Sequence, residues 1–236
     1  MPSWTHLVQS LTIEDNQVHL GQLVDTTRDA GRDSADGLEI AVYVIDGTVF
    51  DSRLLSPVSR DECSYVRCLG LNYTDHAKKA NLPLPKVPTL FMKPRTALSG
   101  PFPAEINVPK CAYDGTSDYE AEPCLVIGKS GRDIPERRVL EHVLGYTASN
   151  DVSVLTLQLL TAQCLSVIED PQSLAKQISY LSQGTILEAG TIILMGTPAG
   201  IGYFRPPRVV LQNGDEIYVE IGKIRTLINK VRYDSW

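Results

Sequence analysis

Two glutamates, Glu120 and Glu122, stand two residues apart in the segment SDYEAEPCLVIGK. On a strand that spacing sends both side chains to one face. Carboxylates so close repel each other unless a cation or a proton lies between them. Hard oxygen ligands of this kind select magnesium, manganese or calcium over zinc. Asp151, in Ser-Asn-Asp-Val-Ser, is a third acid at the junction of an expected strand and an expected helix, where side chains point into clefts. Taken alone, these residues leave a plainer reading open. Glu-x-Glu is common on solvated strand faces, and an aspartate before a helix is commonly a cap. Lys93 and Lys129, each following an expected strand, read as solvated lysines, and Arg205 reads as a loop residue. The cysteines Cys63, Cys68, Cys111, Cys124 and Cys164 are odd in number and show no CxxC spacing, which fits reduced thiols in an intracellular protein. Cys124 reads as core.

The elements that must position these acids read mostly as strands. Residues 17–24 and 38–45 alternate as strands do, with TTRDAGRDSADG between them as a loop. CSYVRCLGLN has the texture of a buried strand, and TDHAKKA behind it that of a short helix. A turn at Asp114 to Asp118 leads into a strand from Tyr119 to Ile127. Pro123 removes a ladder donor there, which predicts an edge or a bulge. Residues 134–142 and 153–164 read as helices, the second capped by Ser153. Further on, TIILMGT, RVVLQ and EIYVEI are strand candidates, with Asn213-Gly214-Asp215 as a hairpin turn between the last two. The class is α+β, mostly β, with an antiparallel core and short peripheral helices.

Composition narrows the partners. A chain of 236 residues can bury a sizeable core, and 43% hydrophobic with 21% charged residues is ordinary for a globular protein. A net charge of −6 argues against nucleic acid or an anionic membrane as the main partner. No apolar run is long enough to span a bilayer, and MPSWTHLVQSLT lacks the basic start and long apolar stretch of a secretory signal. A cytoplasmic location is expected, with a mitochondrial one as the alternative.

Five segments change the odds on the acids. GLNYTDHAKKANLPLPKVPTLFMKP, SDYEAEPCLVIGK, GYTASNDVS, GTILEAGTIILMGTPAGIG and LQNGDEIYVEIGKIRTLIN, in this order between about Val66 and Val231, resemble the fumarylacetoacetate hydrolase family. The resemblance implies a mixed β-sandwich roll with short peripheral helices and a metal at its mouth, usually in a homodimer. The texture of the chain changes at Cys63, which separates a small N-terminal β-rich region, residues 1–62, from residues 63–236, the catalytic domain that the resemblance implies. The resemblance implies Glu120, Glu122 and Asp151 as ligands of Mg2+ or Mn2+, His76 as the catalytic histidine, and Gln158 and Thr197 as substrate-binding residues. The implied substrates are small 2-oxo or 1,3-dicarbonyl acids, which undergo decarboxylation, tautomerisation or isomerisation, or C–C hydrolysis.

Three departures bear on the choice among these reactions. Lys79 stands where the family's hydrolases carry a glutamate one helical turn beyond the histidine, and a cation there lowers the histidine's proton affinity. That favours decarboxylation or tautomerisation over hydrolysis. Ser153-Val154-Leu155 replaces the family's usual Ser-Ala-Arg, with Leu155 read as a core residue. Between Gln158 and Tyr180 the chain is short, as if segments were missing near Cys164–Leu165 and Ala175–Lys176. Those departures motivate an alternative, a catalytically impaired homologue that serves as a binding or dimerisation partner.

Overall fold

A computed structural model describes residues 5–11, 13–45, 63–70, 72–73, 89–100, 102–160 and 174–235. Its strands are β1 Leu7–Leu11, β2 Val18–Leu23, β3 Val42–Ile45, β4 Val66–Gly70, β5 Thr89–Lys93, β6 Glu105–Val108, β7 Ser117–Asp118 and β8 Ala121–Ile127. They continue with β9 Gly131–Arg132, β10 Val143–Asn150, β11 Ser153–Val154, β12 Ile186–Leu187, β13 Ile192–Leu194, β14 Glu216–Ile221 and β15 Arg225–Tyr233. The α-helices are α1 Ala30–Ala35, α2 Leu155–Leu160 and α3 Leu174–Leu181. Strands dominate, as the α+β, mostly β reading expects.

The central sheet has the order β10-β8-β13-β4-β5. Its inner strands β8, β13 and β4 are short, largely buried runs, and period-two alternation sorts their apolar side chains into two cores. Leu69, Leu125, Ile127 and Ile193 face α3, where Ile178 and Leu181 cover them. Val66, Cys68, Cys124, Ile192 and Leu194 form the opposite core, with Phe91 packed against it. A second sheet, β14-β15-β6, and a third, β1-β2-β3, complete the larger layers.

Several expectations need correction. The core is mixed, because β13 pairs parallel with β4 and β15 pairs parallel with β6. The segment read as a loop contains α1, whose first turn is capped by Asp29 accepting the Arg32 N–H at 3.3 Å. Residues 134–142 contain a 3-10 helix, Glu136–Glu141. Ser153 opens no helix: it pairs with Asp118 in the short β11–β7 ladder, and α2 starts at Leu155. RVVLQ is not a strand; its Leu211 N–H donates to the Ser117 carbonyl instead. The terminal hairpin joins β14 to β15 and turns at Gly222–Ile224, with Lys223 at φ +69°.

Pro123 is not at an edge. It lies in β8, between β10 and β13, opposite Ala148 and one residue beyond the last residue paired to β13. Its carbonyl still accepts the Met195 N–H at 3.0 Å, and the Met195 carbonyl, which a ladder N–H at position 123 would have met, accepts from the Asn72 side-chain amide at 2.6 Å instead. The short helix expected at TDHAKKA, and with it His76 and Lys79, lies outside the described residues, as do Cys164 and Leu165.

Candidate metal centre

The acids are brought together by clips between the start of β8 and the end of β10. Ser149 sits opposite Glu122 and Asn150 opposite Ala121. The Asn150 side-chain carbonyl accepts the Glu120 N–H at 3.1 Å, and the Asp151 N–H donates to the Glu120 carbonyl at 2.8 Å. Ser149 Oγ donates to the Glu122 carbonyl at 3.2 Å. The chain leaving β10 is thus pinned beside the strand carrying the glutamates. Glu120, Glu122 and Asp151 each offer a carboxylate oxygen, and these atoms lie within 4.8 Å of one another. All three residues are buried, at 8%, 2% and 3% exposure.

Glu122 is also held from the loop after β13. The Gly196 N–H donates to its Oε2 at 2.8 Å. Gly196 has φ +85°, and a Cβ there would come within 2.8 Å of the Leu69 carbonyl oxygen, so the approach requires glycine. Gln158, on α2, hydrogen-bonds Glu120. Thr197 is buried beside the same strand, its Oγ donating to the Ala121 carbonyl at 3.4 Å. The structure therefore gathers five of the six candidate residues about one locus.

The electrostatics describe a site that wants positive charge. Burial, reinforced by Asp151, pushes the Glu120 carboxyl up to about 8. Burial, then Asp151 and Glu120, raise Glu122 well above the carboxylate range. Asp151 Oδ2 is buried with no hydrogen-bond partner among the described residues. A buried carboxylate oxygen without a partner is costly unless something electropositive meets it. Oxygen donors, burial and the orphaned oxygen together fit a hard divalent cation.

One member of the locus was misread in the sequence. Lys93, taken for a solvated lysine, forms an ion pair with Asp151 Oδ1 and lies 3.4 Å from the Val152 carbonyl. Burial works against its charge, but the Asp151 carboxylate outweighs burial and raises its pKa. A signal was present: Phe91 and Lys93 share one face of β5 by period two, and Phe91 belongs to the core. The remaining candidates keep their plain readings. Lys129 is exposed. Arg205 donates to the Gly200 carbonyl at 2.9 Å and stacks 5.8 Å from the Tyr119 ring. Cys124 is core, its thiol pKa raised by burial. Cys63, Cys68, Cys111 and Cys124 are free thiols.

A pocket of about 240 Å³ lies on the α3 side of β8, lined by Tyr73, Pro123, Tyr146, Leu174, Gln177 and Met195 among others. Pro123 and Tyr146 point away from the Glu122 face, while Tyr73, whose pKa is raised by burial and then by Glu122, links the pocket to the acids.

Comparison with known proteins places the chain. The C-terminal domain of fumarylacetoacetate (FAA) hydrolase matches residues 65–170 and 163–232. The chain belongs to this family and is an enzyme of it. Among curated relatives, caffeoylpyruvate hydrolase from Neonothopanus nambi is 39% identical over 277 residues, covering 99% of this chain and 95% of that protein. A mitochondrial oxaloacetate tautomerase from Bos taurus is 32% identical over 220 residues, covering 75% and 68%. In fold, the fumarylacetoacetate hydrolase of Exiguobacterium antarcticum aligns with TM-score 0.68 at 25% identity, covering 97% of this chain and 99% of that one. The 2-hydroxyhepta-2,4-diene-1,7-dioate isomerase of Mycobacterium marinum aligns at 0.72 and 22%, covering 98% and 100%. The family match falls into two pieces that meet at 163–170, inside the stretch the sequence marks as short. No helix among the described residues is long and apolar enough to cross a membrane.

Proposed function

We propose that this enzyme hydrolyses a C–C bond of an acylpyruvate, using Mg2+ or Mn2+ held by Glu120, Glu122 and Asp151. The convergence of those three buried carboxylates carries the reading. The substrate class follows the caffeoylpyruvate hydrolase that matches 99% of the chain. Water adds across the bond between the acyl carbonyl carbon and the pyruvyl methylene, giving a carboxylic acid and pyruvate. A divalent ion there supplies Lewis acidity toward the oxygens of a 1,3-dicarbonyl acid. The protein's own part is positional. Gly196 and Gln158 fix the two glutamates, the clips from Asn150 and Ser149 fix the strand ends, and Thr197 lines the wall for the substrate carboxylate. His76 is the proposed base that takes a proton from water. In this reading the protein is a homodimer, which its elution volume checks.

Lys79 favours a second reading, keto–enol exchange of an oxaloacetate-like acid, because that reaction asks less of the histidine. One experiment separates the two. With Mg2+ or Mn2+ added, acylpyruvates are followed by loss of their ultraviolet band and by pyruvate formed, and oxaloacetate by its enol band. Pyruvate release supports the first reading; enol loss without pyruvate from acylpyruvates supports the second. Turnover of neither, with or without metal, removes both.

A further inference from the structure

We propose that Lys93 is a positioning residue for this metal centre: by holding Oδ1 of Asp151 it turns Oδ2 toward the ion. The inference rests on the metal-binding reading above and assigns a group outside the ligand set. Lys93 is the last residue of β5, one edge of the central sheet, whereas Asp151 directly follows β10, the other edge. Their contact therefore closes the curled sheet over the face that carries the acids. Two acceptors fix the ammonium, Asp151 Oδ1 and the Val152 carbonyl at 3.4 Å. With Oδ1 taken, the remaining Asp151 oxygen is the buried one that has no partner among the described residues. A carboxylate held at one oxygen is restrained against turning about its Cβ–Cγ bond, which favours one direction for the other oxygen. Such outer partners orient ligands and set metal affinity.

The charges agree with the geometry. Metal ligands are deprotonated when they bind. Three carboxylates against one ammonium leave two negative charges, which a divalent ion neutralises. An anionic oxo acid would then meet a neutral centre and not an anionic one. The competing description makes Lys93 a resident cation that the metal must expel from Asp151. The two descriptions predict opposite signs.

The test is calorimetric titration of metal-stripped protein with Mn2+, for the unmodified chain, Lys93→Met and Lys93→Arg. Positioning predicts that Lys93→Met weakens Mn2+ binding about 10- to 100-fold, and that Lys93→Arg, which can still grip Oδ1, recovers most of the loss. Equal or tighter binding by Lys93→Met overturns the inference and leaves the metal site standing. Absence of Mn2+ binding by the unmodified protein overturns the metal reading itself. Should Lys93→Met fail to fold, a crystal structure of the unmodified protein with Mg2+ decides. Lys93 on Asp151 with the ion on the other oxygen upholds the inference, and Lys93 displaced from Asp151 overturns it.

Discussion

Asp118 and Asp151 are both buried aspartates at strand ends, and they differ in what surrounds their oxygens. Asp118 Oδ1 accepts the N–H of Tyr119 at 2.8 Å and of Gly202 at 3.1 Å, and Oδ2 that of Tyr203 at 2.6 Å. Burial still raises its pKa, and those donors counter the rise. It is a staple, tying the loop after Gly-Thr-Pro-Ala-Gly to the strand that leads to the glutamates. Asp151 has a lysine on one oxygen and, among the described residues, nothing on the other. Burial alone does not separate the two acids; the partners of their oxygens do.

That contrast can be broken by mutation. The largest effect is expected of Glu122→Gln, which keeps an acceptor for the Gly196 N–H but removes a ligand charge. Activity on the acylpyruvate that proves to be the substrate should fall roughly 10³-fold in kcat/KM. The chelator-treated variant should nevertheless melt higher than the chelator-treated parent, because a carboxyl whose ionisation is opposed by burial and then by Asp151 and Glu120 is gone. A lower melting point would mean that the acids are not in conflict without an ion. Asp118→Ala should behave in the opposite way. It strands three N–H groups and should cost on the order of 3 kcal/mol in urea unfolding, with the Mn2+ dissociation constant changed far less than by Glu122→Gln.

Next in size, Mn2+ at a hundred times its dissociation constant should stabilise the parent by about 2.7 kcal/mol. Glu122→Gln should show little of that gain in the same melting assay. The smallest effect belongs to the far side of the molecule. Asp29 caps α1 and accepts from the Thr226 hydroxyl at 2.6 Å, so Asp29→Ala should cost about 1 kcal/mol. Burial pushes the Asp29 carboxyl up, but the Thr226 hydroxyl and the N–H groups of Arg32 and Thr226 outweigh it and leave its pKa lowered. A lowered folded value means that this stability is complete above the unfolded value of about 3.9 and is lost as pH falls through the folded one. The gap between parent and variant should therefore close in acid; a constant gap from neutral pH down to pH 3 would refute the account.

The class of fold was legible in the sequence. The spacing of two put Glu120 and Glu122 on one face, but the residues alone left a solvated strand face as the plainer reading, and the resemblance was needed to favour a metal. Asp151 stood out by its place at a strand end, but only the resemblance joined it to the glutamates, since nothing local says that the end of β10 is clipped to the start of β8. Lys93 was misjudged because its partner lies 58 residues away, across the full width of the sheet. Element type held where strands are long or strongly buried, as in β4 and β8. It failed where tertiary bonds replace a ladder: RVVLQ has strand-like residues, yet its backbone is taken up by Ser117 and Gly202. α1 was hidden in a polar stretch, because only its cap residue, Asp29, marks it and its packing partner is β15. Pro123 misled because a side chain distant in sequence, Asn72, supplies the donor that the proline lacks.

The attachment of α1 has a consequence for how the chain is made. Arg32 reaches Thr226 and Glu220, and Arg225 reaches the carbonyls of Thr26 and Arg28, bonds that span nearly two hundred residues. A ribosome delivers α1 long before it delivers β15. The helix must wait with its docking side bare until that strand emerges, and six residues are too few to hold a helix alone. The early segment is thus a late folder, and slowing translation should lengthen the period in which a protease can cut it.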